Sequence, residues 1–195
     1  MSNNLVLGDS DIRPILRSRL RLKHANDTDT VVIEELGLCR GQVRVDVSVV
    51  NGLLHGYEIK SDRDSLRRLT AQTELYGKVL DRATVVVGYR HLAKVLDTVP
   101  IWWGILLVQR SADGLRFKTV RKPRNNPNRD PRSLVELLWF DDALALLEER
   151  NAARGFRGKP RWIVWDRVCE LFGVNEIAKA VRGHLKARAK QQVPV

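Results

Sequence analysis

The chain has 195 residues, a length that suits one domain with at most a small appended subdomain and that buries a core without covalent staples. At 44% hydrophobic and 29% charged it is too apolar for a disordered chain, and its formal net charge of +11 points to a polyanionic partner. Two distant cysteines outside any CxxC argue against a disulfide framework or a cysteine-rich zinc site, and no apolar run approaches the ~20 residues that cross a bilayer. The opening MSNNLVLGDSD lacks a basic stretch followed by an apolar core, so the expectation is a cytoplasmic protein without a membrane partner.

In chain order, a first helix is predicted from about Asp11 to Lys23, capped by Asp9 or Ser10, with Ile12, Ile15, Leu16 and Leu20 on one face. VVIEELGL fits either a short helix or a strand. Val43, Val45, Val47 and Val49 alternate with Arg44, Asp46 and Ser48, the period of a half-buried strand. Asn51-Gly52 is a hairpin signal, with LLHGYEIK as the return strand. A helix over Asp64–Val79, the strand ATVVVG, a short helix near His91–Leu96, the strand IWWGILLV and an edge strand LRFKTV follow. RKPRNNPNRDPR reads as an exposed loop, and the remainder as helices over Leu134–Arg150, Trp162–Phe172 and Asn175–Lys190. The expected organisation is an α/β core over residues 1–120 with a mixed sheet, a basic Pro/Asn-rich loop at 121–133, and a basic helical region at 134–195. Nearly all of the positive surplus lies beyond residue 100.

The chemistry-bearing stretch is RVDVSVVNGLLHGYEIKSD. Glu58 and Lys60, two apart on a strand, share a face, and charges at a sheet centre must be paired or bind a metal. If Asp46 projects to the same face, two carboxylates and an ammonium converge, a set suited to holding a hard divalent cation beside a phosphodiester. A strict two-residue turn would put Asp46 and Glu58 on opposite faces. A three-residue loop or a one-residue bulge reverses this, and Gly52 or Gly56 is expected to supply the bulge. Gln72 and Tyr76 lie four apart on the next helix, with the glutamine on an otherwise apolar stripe.

Together, Asp46, the eleven intervening residues, Glu58-Ile59-Lys60 and the later Gln-x-x-x-Tyr resemble the PD-(D/E)XK nuclease superfamily, in its RecB-like branch. RVDVSVVNGLLHGYEIKSDRDSLRRL, QTELY and VPIWWGI are similar to a group of small bacterial and phage proteins within it. The resemblance covers roughly residues 30–110. It implies a restriction-endonuclease-like αβββαβ core with a mixed sheet and a C-terminal helical extension, and Mg2+- or Mn2+-dependent hydrolysis of nucleic acid. By position, Asp46, Glu58 and Lys60 would be catalytic, and Asp46, Glu58 and either Glu34 or Glu35, with Glu35 preferred, would hold the metal. Gln72, Tyr76 and Arg44 would support the site or contact DNA. The family's Pro-Asp is Val45-Asp46 here.

The four histidines show no metal spacing, and no phosphate-cradling GxxxxGK[ST] is present. Of Trp102 and Trp103, one is expected in the core and one outward; Trp139, Trp162 and Trp165 read as core anchors. Arg121, Lys122 and Arg124, with Arg129 and Arg132, form a candidate phosphate-binding loop, for which a solvated linker is the alternative. The leading expectation is therefore a metal-dependent deoxyribonuclease of repair, mobile-element or phage DNA metabolism. DNA is favoured over RNA as its partner, and a homodimer is left open. The alternative is a catalytically inactive module that binds DNA or another protein.

Overall fold

Six strands form one mixed sheet in which spatial neighbours follow chain order, in a computed structural model that describes residues 6–191. The first five residues and the last four, including the final glutamine of HLKARAKQQ, lie outside the described residues. Helix α1 (Asp9–Lys23) leads into an antiparallel meander of β1 (Val31–Leu38), β2 (Val43–Val50) and β3 (Leu54–Lys60). Helix α2 (Leu69–Val79) crosses to β4 (Arg82–Gly88), and α3 (Leu92–Thr98) to β5 (Gly104–Ser111), so β3, β4 and β5 run parallel. Strand β6 (Gly114–Arg121) returns antiparallel to form one edge. Four helices close the described chain: α4 (Pro131–Val135), α5 (Phe140–Glu149), α6 (Arg161–Leu171) and α7 (Val174–Gln191).

The class is thus α/β with a mixed sheet and C-terminal helices, as expected. Several elements differ in detail. VVIEELGL is the strand β1. The helix after β3 begins only at Leu69, preceded by a 3-10 turn over Leu66–Arg68, and helix α1 is capped by Gly8, whose N–H donates to the Asp11 side chain at 2.9 Å. Trp102 and Trp103 precede β5 in a turn. The segment 134–150 breaks into two helices at Trp139, where Asp142 reaches back to accept the Trp139 N–H at 3.1 Å and starts α5. No helix among the described residues is long and apolar enough to cross a membrane.

Helix α1 packs on one face of the sheet. Its stripe of Ile12, Leu16 and Leu20 meets Val47, Val49, Tyr57, Ile59, Val86 and Val108. The opposite face carries the larger core, in which α2 and the C-terminal helices share one apolar cluster with the sheet. Strand β2 changes allegiance along its length. Val43 and Val45 join the larger core, whereas Val47 and Val49 lie under α1, so the switch falls at Asp46.

The Pro/Asn/Arg stretch is a strap tied to the sheet. Arg124 N–H donates to the Trp102 carbonyl at 2.8 Å, Asn126 N–H to the Asp81 carbonyl at 2.9 Å, and the buried Asn126 side chain to the Gly77 and Leu80 carbonyls. Asp81, only 6% exposed, anchors the far side. It accepts the Leu54 N–H at 2.7 Å and pairs with Arg129 of the strap and Arg182 of α7. Removing one partner of a buried pair strands the others, so Asp81→Ala should destabilise the protein by about 3–5 kcal/mol in urea unfolding. A loss below ~1 kcal/mol would show that the strap is held by other contacts.

Candidate functional site

The hairpin between β2 and β3 closes with the pair Val50↔Leu54, leaving a three-residue loop, Asn51-Gly52-Leu53. The Asn51 side chain accepts the Leu53 N–H at 3.0 Å and fixes the turn. This odd loop supplies the extra residue, while Gly56 stays in register opposite Ser48, so the expected strand bulge is absent. Extending the register places Asp46 across from Glu58. The ladder ends at Val47↔Tyr57, however. Beyond it the Asp46 carboxylate, at 2.6 Å, accepts the Ile59 N–H that the diverging strand leaves without a ladder partner.

A cleft of about 460 Å3 opens at this fork, lined by Asp9 and Arg13 of α1, Glu35, Asp46, Glu58, Lys60 and Gln72 among others. Its acidic groups are each engaged by the protein. Arg13 bonds Asp9 at 2.9 Å, Asp46 at 2.8 Å and Glu35, joining three carboxylates to one guanidinium. Glu35 is also 3.7 Å from Arg44, and it adopts φ of 56°, a left-handed conformation that costs about 1–2 kcal/mol in a non-glycine residue. Glu34 turns instead to Arg17 at 2.8 Å, so of the two candidates Glu35 is the one in the cleft.

Glu58 is 2% exposed and fully paired. One oxygen accepts from Lys60 Nζ at 2.5 Å and Gln72 Nε2 at 2.6 Å; the other accepts from the Tyr76 hydroxyl, which also lies 2.8 Å from the Arg44 carbonyl oxygen. Tyr76 is itself stacked on Trp103. Burial and the neighbouring Glu58 push Asp46 up to about 6, against the pull of the Ile59 N–H and Arg13. Burial and Glu58 likewise raise the Tyr76 hydroxyl, which stays a neutral donor. For Arg13, burial opposes the charge, but the Asp9 hydrogen bond and the surrounding carboxylates raise its pKa overall.

The structure therefore brings Asp46, Glu58, Lys60, Gln72, Tyr76, Glu35 and Arg44 to one place, and leaves Arg121, Lys122 and Arg124 outside it. Arg121 donates to the carbonyls of Trp103, Val99 and Pro100, while Lys122 and Arg124 are exposed. Trp102 and Trp103 are both buried, so neither faces outward. Trp165 is a core residue, but Trp139 and Trp162 are more than half exposed. The sequence reading overlooks Arg13 and Asp9. Their signal is an Asp and an Arg four apart on α1, one position off the apolar stripe.

Both oxygens of Glu58 and both of Asp46 already accept hydrogen bonds from protein groups, and no group of three or more His, Cys, Asp or Glu among the described residues is placed to hold a metal. Fold and cleft together define an α/β protein whose buried acids are neutralised from within. The sequence profile described as bacteriophage P4 protein cII matches residues 10–193, so the chain belongs to that family. It is similar to protein cII of Enterobacteria phage P4, at 31% identity over 97 residues that make up 50% of this chain. The matched segment spans 37% of that protein's length. No solved structure matches the chain.

These findings correct the sequence reading. The family is that of phage P4 protein cII and not the PD-(D/E)XK nucleases, and with that the assignment as a metal-dependent nuclease and hydrolase falls. The physical source of the error is plain. Glu-x-Lys on a buried strand is equally the signature of an internal ion pair, which is what Glu58 and Lys60 form.

Removing the clamp should show in the titration of Asp46. In Arg13→Ala, its midpoint followed by carboxyl 13C NMR should rise above the wild-type value near 6. Because the raised pKa makes the folded state hold the extra proton between about pH 4 and 6, stability contributed by this group falls as pH rises through that window. A midpoint that is unchanged or lowered would refute the clamp.

Proposed function

We propose that this chain is a non-catalytic module that binds the phosphate backbone of nucleic acid. The observation that supports this reading is where the unpaired cations lie. In the fork, Arg13 and Lys60 are consumed by Asp9, Glu35, Asp46 and Glu58. Elsewhere, Arg19, Lys23, Arg116, Lys118, Lys122 and Arg124 have no carboxylate within 4.0 Å among the described residues. Lys122 and Arg124 extend from the strap, whose backbone is tethered to the sheet, so their charges are presented from a fixed support. Free cations on a rigid surface bind phosphates through release of condensed counterions, without any need for base readout or bond cleavage.

The test is fluorescence anisotropy with a labelled 20-base-pair duplex, a single-stranded DNA and a single-stranded RNA across a salt series. Affinity should fall steeply with salt, and Lys122→Ala or Arg124→Ala should each reduce the slope of log affinity against log salt by about one. Asp46→Ala and wild-type protein should leave the strands equally intact in Mg2+ or Mn2+. Binding of none of the three probes, or binding indifferent to salt, would overturn the reading.

A further inference from the structure

Toward the C-terminal end of α1 lies a second cavity, of about 230 Å3, unlike the first in its charge. Three cations line it, Arg19, Lys23 and Arg121, and no carboxylate does. Helix α1 covers the sheet only in part here. Leu16 and Leu20 form one wall, and the floor is a polar set drawn from β3 and β4: His55, Tyr57 and Thr84.

That floor has an odd feature in an otherwise apolar face. His55 Nε2 lies 2.9 Å from Thr84 Oγ1, and His55 Nδ1 lies 3.4 Å from the Tyr57 hydroxyl, with the His55 and Tyr57 rings stacked at 4.3 Å. Burial, with help from Arg82 and Lys23, pushes the His55 imidazole down to about 3, and burial pushes the Tyr57 hydroxyl up to about 12. Both are neutral at ordinary pH, so the ring carries one N–H and one acceptor nitrogen. If Tyr57 donates to His55, the ring donates to Thr84 and the Thr84 proton has no acceptor. In the opposite tautomer, Thr84 donates to the ring and the Tyr57 proton has none. Either way, one hydroxyl donor at the cavity floor lacks an acceptor among the described residues.

A donor at the floor, apolar walls and a purely cationic rim select a ligand with acceptor groups on a compact, partly apolar body and a negative charge at its mouth. We infer that this cavity holds one nucleotide unit, with base or sugar oxygens toward Thr84 and Tyr57 and the phosphate between Arg19 and Lys23. Rim charges at this position suit phosphate, because Arg and Lys donors to an anion form the stronger class of hydrogen bond. The inference rests on the nucleic-acid reading for its source, but a free mononucleotide presents the same chemistry, and the experiment separates the two.

The full chain is titrated with dAMP, dCMP, dGMP and dTMP individually, with inorganic phosphate, and with a 12-nucleotide single strand, while the side-chain resonances of His55 and Tyr57 are followed by NMR. At least one mononucleotide should shift both residues saturably, and Arg19→Gln/Lys23→Gln, at the solvent-facing rim, should weaken it by about tenfold or more. Should the strand shift the same resonances, and should the rim variant weaken it likewise, the unit belongs to a nucleic acid. If mononucleotides bind there but the strand binds nowhere, the cavity stands as a free-nucleotide site and the nucleic-acid reading is overturned. If His55 and Tyr57 do not respond and the rim variant binds the strand like wild type, the cavity inference fails while the backbone-binding reading survives. An equal response to inorganic phosphate would also overturn it, since the walls would then recognise nothing.

Discussion

One guanidinium organises the fork of this sheet. Arg13 stands on α1, which packs on one face, yet its donors reach Asp9 of the same helix, Glu35 of β1 and Asp46 of β2. Carboxylates gathered at the end of a ribbon repel one another and lose hydration as they are covered, and such a cluster is tolerated only if opposite charge and donors are supplied. Arg13 supplies them on one side and Lys60, Gln72 and Tyr76 on the other. The same contacts tie α1 to β2 where that strand passes from one core to the other. What looks in sequence like an assembled hydrolytic centre is, in three dimensions, a joint between two helices and three strands.

The two cavities then divide the protein by charge. In the fork, Arg13, Arg44 and Lys60 pair with Asp9, Glu35, Asp46 and Glu58. The cavity toward the opposite end of α1 is lined by Arg19, Lys23 and Arg121 and by no carboxylate, and on the strap Arg129 and Arg132 are ion-paired whereas Lys122 and Arg124 have no carboxylate within 4.0 Å among the described residues. Asp81 couples the strap and α7 to the β3–β4 region, so the exposed Lys122 and Arg124 are carried on a segment whose position is set by the core. In the proposed function, a basic surface held in this way would steer a polyanion toward it.

Much of this was legible in the chain. The alternation of Val43, Val45, Val47 and Val49, the Asn51-Gly52 turn and the order of helices and strands gave the α/β class, and the Glu58–Lys60 spacing located the fork. Other features were hidden for physical reasons. Period-2 alternation puts Val43, Val45, Val47 and Val49 on one face and cannot reveal that β2 changes cores at Asp46, where the β1–β2 pairing skips Glu35, which is in a left-handed conformation. VVIEELGL was ambiguous because its glutamates break both periods, and Glu35 sits in a left-handed conformation that no β-propensity anticipates. Arg13 could not be assigned a carboxylate partner across 33 residues of sequence. Residue types at motif spacing say which charges meet, not whether a ligand or a protein side chain neutralises them, and here the difference separates a phosphodiesterase from a salt-bridged joint.

The most direct measurement of that difference is paramagnetic relaxation by Mn2+ in 13C- and 15N-labelled protein. The account predicts that millimolar Mn2+ leaves the carboxyl resonances of Asp46 and Glu58 and the Ile59 amide as sharp as exposed control positions, because Arg13, Lys60, Gln72, Tyr76 and the backbone already hold those oxygens. Selective, saturable broadening of those three signals ahead of all others would mean that a cation displaces the internal partners, and the account would be wrong.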